Sequence, residues 1–485
     1  MSERASPTIA IIGSGLAGMC MGIQLKKAGI DSFIIFEKAD EVGGTWRENT
    51  YPGVACDVPS HLYSYSFEPN SNWSHVFSPG AEIQEYALHC AKKYDLYPHL
   101  KFGHALVSAI YEDGWKLTFE NGHTETFDFL INGIGGLHVP SFPDIPGLEA
   151  FNGAKFHSAQ WDHDHDLTGK NVAVVGTAAS ALQLIPEIVD KVKSLTVFQR
   201  TPNWIRPRMD ESYRSSTKKR FQRFDFMRAL HRLRIYLMLE SNWPAFKNNR
   251  VFQALARRVM MKHLEEQVPD EDLRAKLTPD YPVGCKRILI SDDYFPAIQR
   301  SNVTFVTDGI DKIEKDHLID ANGAKHAVDT LILATGFKPF SLLENLEITG
   351  PDGTRMTDYF TSGGIRAHNT VWVPGFPNFA MLVGPNSGLG HNSIILMIEA
   401  QVNYIIGCIK ATLQKEARTI DARKDIAQRF DDKVQHELED TVWHTNCKSW
   451  YVGDDGRNYT LWSGTTLRYR RLLSRVDLDD FVFEK

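Results

Sequence analysis

Cysteine is sparse and poorly placed for pairing. Cys20, Cys56, Cys90, Cys285, Cys408 and Cys447 are scattered over 485 positions, and no two stand in a C-x-x-C arrangement. That spacing supports no zinc knuckle, leaves no metal site to assign and indicates no disulfide framework. Long apolar runs are also missing. None approaches the ~20 residues of a membrane-spanning helix. There is no positive excess either. The formal net charge is −6, which excludes a nucleic-acid binder acting through overall charge. The start, MSERASPTIAIIGSG, shows no charged-then-apolar leader, so a cytoplasmic location is expected. Against these absences, 42% hydrophobic and 24% charged residues describe an ordinary globular chain. Its 485 residues exceed one core and predict two or three domains.

What is present begins with a nucleotide-binding pattern. Thr8-Ile-Ala-Ile-Ile12 reads as a buried parallel strand. It runs into Gly13-Ser14-Gly15-Leu-Ala-Gly18, then a helix to Gly29 and a second strand, Phe33 to Phe36. Gly13 permits a tight turn, Gly15 lets a pyrophosphate approach the backbone, and Gly18 lets helix pack on strand. Glu37 closes the unit where a carboxylate binds ribose hydroxyls. Gly43-Gly44-Thr45-Trp46 follows and resembles the loop that borders the flavin in flavoproteins with this unit, so FAD is expected here. Further on, a helix is predicted from Ser78-Pro79 to Lys93, and β-hairpins over 101–129. Phe127 to Gly136 reads as the strand and turn that bring the chain back to this site.

The unit is then written a second time. Lys170 to Val175 is a strand, followed by Gly176-Thr177-Ala178-Ala179-Ser180-Ala181, a helix, and the strand Leu195 to Phe198. Gly13 to Glu37 spans 24 residues, and so does Gly176 to Arg200. The change from Glu to Arg reverses the preference at that position. Arg200 suits a 2′-phosphate, with Thr201 adding a hydroxyl, so the second ligand reads as NADPH. Ala178, in place of the second glycine, is expected to crowd the pyrophosphate and weaken or shift the fit.

Between 206 and 281 the α/β rhythm stops. Phe221, Phe224, Met227, Leu230, Leu233 and Leu237 recur at three or four, predicting one helical face. Arginines 220, 223, 228, 232 and 234 fill much of the rest. A helical subdomain with a solvated cationic side is expected, its apolar face packed near the substrate entrance. The alternative for a basic amphipathic helix is a seat on a membrane surface; the solvated subdomain is preferred, and peripheral membrane contact is not expected. Lys286 and Arg287 then enter an apolar stretch read as a strand, so they should point opposite ways. Asp329 to Gly336 closes the second unit. Gly384 to Asn392 opens a helix over 393–415, a dipole site apt for flavin carbonyls. The aromatic, polar tail from Asn446 to Trp462 suits a loop folding over the nicotinamide or substrate.

The segment joining the two units reads F-x-G-x-x-x-H-x-x-x-W-D at Phe151, Gly153, His157, Trp161 and Asp162. A second pattern, G-G-x-W-x(4)-[YF]-P-G-x(3)-D, is met by Gly43, Gly44, Trp46, Tyr51, Pro52, Gly53 and Asp57. With both, the chain resembles the type I Baeyer–Villiger monooxygenases among the class B flavoprotein monooxygenases. The resemblance implies an α/β fold with two Rossmann-like domains. It divides the chain into an FAD domain (1–145 plus 341–485), an NADP domain (146–206 plus 286–340) and a helical insertion (207–285). It implies that NADPH reduces FAD, that O2 then forms a C4a-peroxyflavin, and that this attacks a ketone to give an ester or lactone; sulfoxidation is possible. It makes Arg287 the cation at the flavin and Asp57 its carboxylate neighbour. It puts Thr45, Trp46, Tyr63, Val107 and Ile394 against FAD, and Cys56, Lys286 and Trp450 against NADP. The linker residues are expected to brace the junction between the domains rather than touch substrate. The nearest alternative is an N- or S-oxygenating flavin monooxygenase, whose linker usually carries Tyr or Phe where Trp161 stands. A disulfide reductase would need a redox cysteine pair, and a non-catalytic flavin binder would have no use for Arg200 and Lys286. Which ketone is used and how many chains assemble are left open.

Overall fold

The computed structural model describes residues 6–339, 346–444, 449–453 and 455–485. The expected boundary at 340/341 and the tail residues Asn446 and Cys447 lie outside the described residues.

Two five-stranded parallel sheets organise the chain. In the first, Ile9–Ile12 is central, with Phe33–Phe36 on one side and Phe129–Asn132 on the other. Leu100–Lys101 and Phe379–Met381 complete it. In the second, Asn171–Val175 is central between Ser194–Phe198 and Thr330–Leu333. Val303–Val306 and Ala154–His157 are its edges. All four residues of Ile9–Ile12 are buried, as a strand covered on both faces requires. The hairpins expected over 101–129 form an antiparallel sheet of Leu106–Tyr111, Trp115–Phe119 and Thr124–Phe127.

Three expectations are corrected, and the joining segment gains an element that was not expected. Ala154–His157 is an edge strand, paired with Thr330–Leu333. A single edge strand has only one partner, and four residues carry too little pattern to announce it. The helical face over 221–237 is two helices, Ser215–Arg223 and Asp225–Glu240, broken at Phe224 by an extended backbone. Lys286 and Arg287 are not on a strand. The strand is only Leu289–Ile290, and Gly284, at φ +87°, turns the chain just before them. Finally, Cys285 is disulfide-bonded, whereas Cys20, Cys56, Cys90 and Cys408 are free and buried. Pairing depends on approach in space, which scattered positions do not reveal.

The helix Ile394–Gln414, capped by Ser393, packs against Leu16–Lys27. It is long and apolar enough to cross a membrane by composition, but 72% of its apolar window is buried inside the protein. It is the central core helix of the first domain.

Candidate functional site

The first cradle follows from its glycines. Gly13 adopts φ +95°, and a Cβ there would lie 2.9 Å from the Gly133 carbonyl oxygen. A Cβ on Gly18 would fall 1.9 Å from the Gly13 oxygen, so helix and turn meet only through glycine. Gly15 faces Gly44, with 3.7 Å between its would-be Cβ and the Gly44 Cα. No side chain caps the helix that Gly15 opens. Its first amides therefore remain available to an anion, which is what a pyrophosphate requires. Glu37 is buried and accepts from the Ser14 amide and hydroxyl at 2.8 Å each. Trp46 donates its indole N–H to the Tyr63 hydroxyl at 3.2 Å, with the rings edge to face. Burial pushes the Tyr63 phenol pKa up, so it stays protonated. Ile394 starts the core helix. Val107 is exposed at a bulge of the hairpin sheet.

The second cradle repeats the first. Gly176 has φ +108°, and a Cβ would meet the Ala334 oxygen at 2.4 Å. Ala178 has φ −81° and ψ −166°, against −69° and −176° at Gly15. That is extended backbone open to any residue, so the alanine introduces no strain; its methyl is the whole difference. The helix Ala179–Ile188 also starts without a side-chain cap. Thr177 and Ala181 are buried. Arg200 is exposed, with Thr201 beside it half-buried. The Lys286 ammonium lies 4.8 Å from the Tyr281 ring centre. Its pKa is lowered, first by burial and next by the positive field of Arg200. Two cations 86 positions apart are thus held within each other's field. A doubly charged phosphate between them would relieve that field. Residues of both cradles fit the two dinucleotides.

Between the cradles lies an ion pair. Arg287 Nε donates to Asp57 Oδ2 at 2.8 Å, and Nη2 approaches the same oxygen at 2.5 Å. Asp57 comes from the loop after the first unit and Arg287 from the return to the second. The Arg287 side chain keeps 48% of its surface accessible, so its remaining donors are presented rather than consumed. Asp57 raises the arginine's pKa above its already high ordinary value, and the charge is permanent. Tyr451 and Cys56 sit in the same field. Burial pushes the Cys56 thiol up, which makes it a packed neighbour rather than a nucleophile.

Several residues here went unnoticed in the sequence. Tyr451, buried, feels both Arg287 and Asp57. The adjacent Trp450 is half-exposed, its ring 4.6 Å from that of Tyr451. Arg206 is also within the field of Asp57. Trp443 donates to the Gly284 carbonyl at 2.9 Å, and Phe246 packs on both Gly284 and Gly390. The insertion and the tail therefore meet on the turn that carries Lys286 and Arg287. The aromatic richness of 443–462 was the available signal for the tail; nothing marked Phe246.

The junction has two parts. Gln183, on the second unit's helix, accepts from the Tyr51 hydroxyl at 2.8 Å and donates to the Ala55 carbonyl at 3.0 Å. Gly53, at φ +78°, lets this loop approach: a Cβ would sit 2.6 Å from the Gln183 oxygen. The Y-P-G segment is thus a docking surface between the two units. The second part is the linker. A Cβ on Gly153 would lie 2.4 Å from the Asp329 oxygen, which holds the turn tight. Phe151 is buried in the second domain, and Trp161 packs edge-on to Phe156 at 5.1 Å. Asp162 caps its own turn by accepting from the Asp164 amide. His157 is fully buried between the rings of Phe142 and Phe337, one from each of the two segments that cross between the domains. Pro140 and Phe337 are bridged there. Its Nδ1 accepts from the Ala159 amide at 3.1 Å. Burial lowers its pKa, against the opposing pull of the Gly336 backbone, so the ring is neutral.

Known proteins resemble this chain over nearly its whole length. The family model described as Flavin-binding monooxygenase-like matches residues 6–349. A Baeyer–Villiger monooxygenase of Pseudomonas aeruginosa is 40% identical over 97% of this chain and 90% of its own. Another, of Streptomyces coelicolor, is 39% identical over 98% and 92%. Among solved structures, a steroid monooxygenase bound to NADP superposes with a TM-score of 0.89 at 26% identity, covering 99% of this chain and 100% of that one. A closed cyclohexanone monooxygenase gives 0.88 at 25% identity, covering 99% of each.

Proposed function

The chain belongs to the Baeyer–Villiger branch of the flavin-binding monooxygenase-like family, and we propose that its Asp57–Arg287 pair is the fixed charge on which oxygen insertion depends. It is an NADPH-dependent FAD monooxygenase that inserts one oxygen atom beside a ketone carbonyl, yielding an ester or lactone. Bound FAD, once reduced by NADPH, supplies the activation of O2. The chain's own residues then have three tasks.

The first is to hold negative charge as it develops on oxygen. Arg287 is suited because Asp57 fixes its guanidinium from one side and leaves other donors free. Preorganised donors of this kind act without reorganisation during the reaction. This ion pair, joining two loops 230 residues apart, is the observation that carries the reading. The second task is to recognise NADPH, which we assign to Arg200, Thr201 and Lys286, with the uncapped helix Ala179–Ile188 receiving the pyrophosphate. The third is to keep the two domains in register, which falls to Tyr51, Gln183 and the linker.

We divide the chain at the limits read from the sequence, and place the enzyme in the cytoplasm. A sulfide is a plausible second substrate class in chemical terms, because a soft nucleophile needs no cation beside it. The test is to supply purified enzyme with NADPH, O2 and a panel of ketones, sulfides and amines, and to identify products by mass. Ester from ketones at NADPH-matched yield is expected. Oxygenated amines with no ester would shift the reading to N-oxygenation.

The buried position of His157 predicts a specific defect. In His157→Ala the crossover loses a ring packed between Phe142 and Phe337. Ester formed per NADPH consumed should fall several-fold, with the balance released as peroxide, while FAD content stays at the native ratio. Loss of FAD with coupling intact would contradict the assignment.

A further inference from the structure

The helical insertion has a face that none of the described residues covers. In helix Asp225–Glu240, Ile235 and Leu239 are buried against Leu62 and Leu396. On the other side Phe226, Leu230, Leu233 and Leu237, spaced at three and four, are exposed by 69, 63, 48 and 56%. Helix Arg250–Gln267 is built the same way: Met260 and Leu264 are buried, while Val251, Leu255 and Val259 are exposed by 66, 55 and 55%. Ten of the twenty exposed large apolar side chains among the described residues lie between Phe224 and Val259. Single exposed leucines need no explanation, but this concentration does. The apolar face expected at the substrate entrance is buried at Phe221, among the rings of His61, Tyr213 and His231, and the opposite side of the second helix lies against Leu62 and Leu396.

The charge around the face is equally uneven. Residues 214–264 hold thirteen Lys and Arg against two Asp and Glu, in a chain whose net charge is −6. Among the described residues only Arg228 and Lys262 of these cations form an ion pair. Lys219, Arg220, Arg223, Arg234, Arg250 and Arg258 are exposed.

Contrary to the expectation from the sequence, we propose that this face seats the enzyme on an anionic lipid surface. Exposed leucine and phenylalanine rows flanked by lysine and arginine match what a helix lying in a membrane interface presents. The apolar rows enter the acyl boundary and the cations meet acidic headgroups. Pairing with a second copy is disfavoured by the same charges. A two-fold dimer places the same patch against itself, bringing two strongly basic surfaces together. The consequence for function is local: Trp243–Phe246, between the two helices, packs on the turn before Lys286 and Arg287. Apolar substrate dissolved in a bilayer would reach the site from this side.

The test is vesicle flotation of the purified holoenzyme. One vesicle preparation is phosphatidylcholine alone; the other is an equal mixture with phosphatidylglycerol. Binding to the mixed vesicles only is expected, with release in about 1 M NaCl, where the screening length is about 3 Å. The double substitution Leu230→Ser, Leu237→Ser should cut the bound fraction at least about tenfold and leave FAD absorbance and NADPH oxidation unchanged. No flotation with either vesicle, or equal flotation of the variant, would overturn the proposal. So would a dimer by analytical ultracentrifugation that the double substitution converts to monomer, since the face would then belong to a second copy.

Discussion

Arg287→Ala is expected to reduce ester formation by about 10²–10³-fold, the usual scale for losing a preorganised donor to developing negative charge, while FAD stays bound and NADPH is still oxidised. The substitution does more than remove a cation. Asp57 accepts both arginine contacts at 2.8 and 2.5 Å, and without them its carboxylate faces the same space alone. A charge of the wrong sign then stands where negative charge must develop. The double variant Asp57→Ala, Arg287→Ala should therefore be no worse than Arg287→Ala by itself, which is a non-additive outcome. Arg287→Lys keeps the charge but loses the planar fork held by Asp57, and should fall between the two. Product by mass spectrometry, NADPH loss by absorbance and peroxide release separate these cases. Ester at the native rate from Arg287→Ala would remove Arg287 from the proposed role.

The second large effect concerns cofactor choice. Lys286→Ala and Arg200→Glu should each raise the KM for NADPH by about 10–100-fold, the scale of a charge-assisted contact. The KM for NADH should change little, or improve, because NADH lacks the 2′-phosphate we assign to these two cations. The physical basis is the field between them: Arg200 helps depress the Lys286 pKa, so removing one cation relieves the other. Steady-state kinetics with both cofactors decides. An equal rise for NADPH and NADH would mean that these residues act on folding or on the common part of the nucleotide.

How the two cradles read from sequence differs from how the rest did. Gly13, Gly18 and Gly176 were legible because their conformations and contacts forbid a Cβ, and a positive φ or a backbone contact below 3 Å leaves a trace in residue type. The linker was legible as a pattern, but its strand Ala154–His157 was not. Strand alternation does not apply to Lys286 and Arg287, because Gly284 turns the chain just before them; Lys286 lies in the field of Arg200 and Arg287 against Asp57. Ala178 was read as a steric difficulty, and its extended backbone shows that only the methyl differs from Gly15. Tyr51 was recognised as part of a signature, yet its bond to Gln183 was not foreseen.

By itself, the sequence determined the two βαβ units, their order, and the Glu37-to-Arg200 change between them. These are local: each depends on a turn, a helix start and a strand within some two dozen residues. Tertiary structure alone decided what meets across the chain. It put Asp57 on Arg287, Tyr51 on Gln183 and Phe246 on Gly284, and it turned one apolar face of the insertion outward. Helical spacing shows that an apolar face exists, but cannot show which side another element covers, because burial is a property of two surfaces and a sequence pattern describes one.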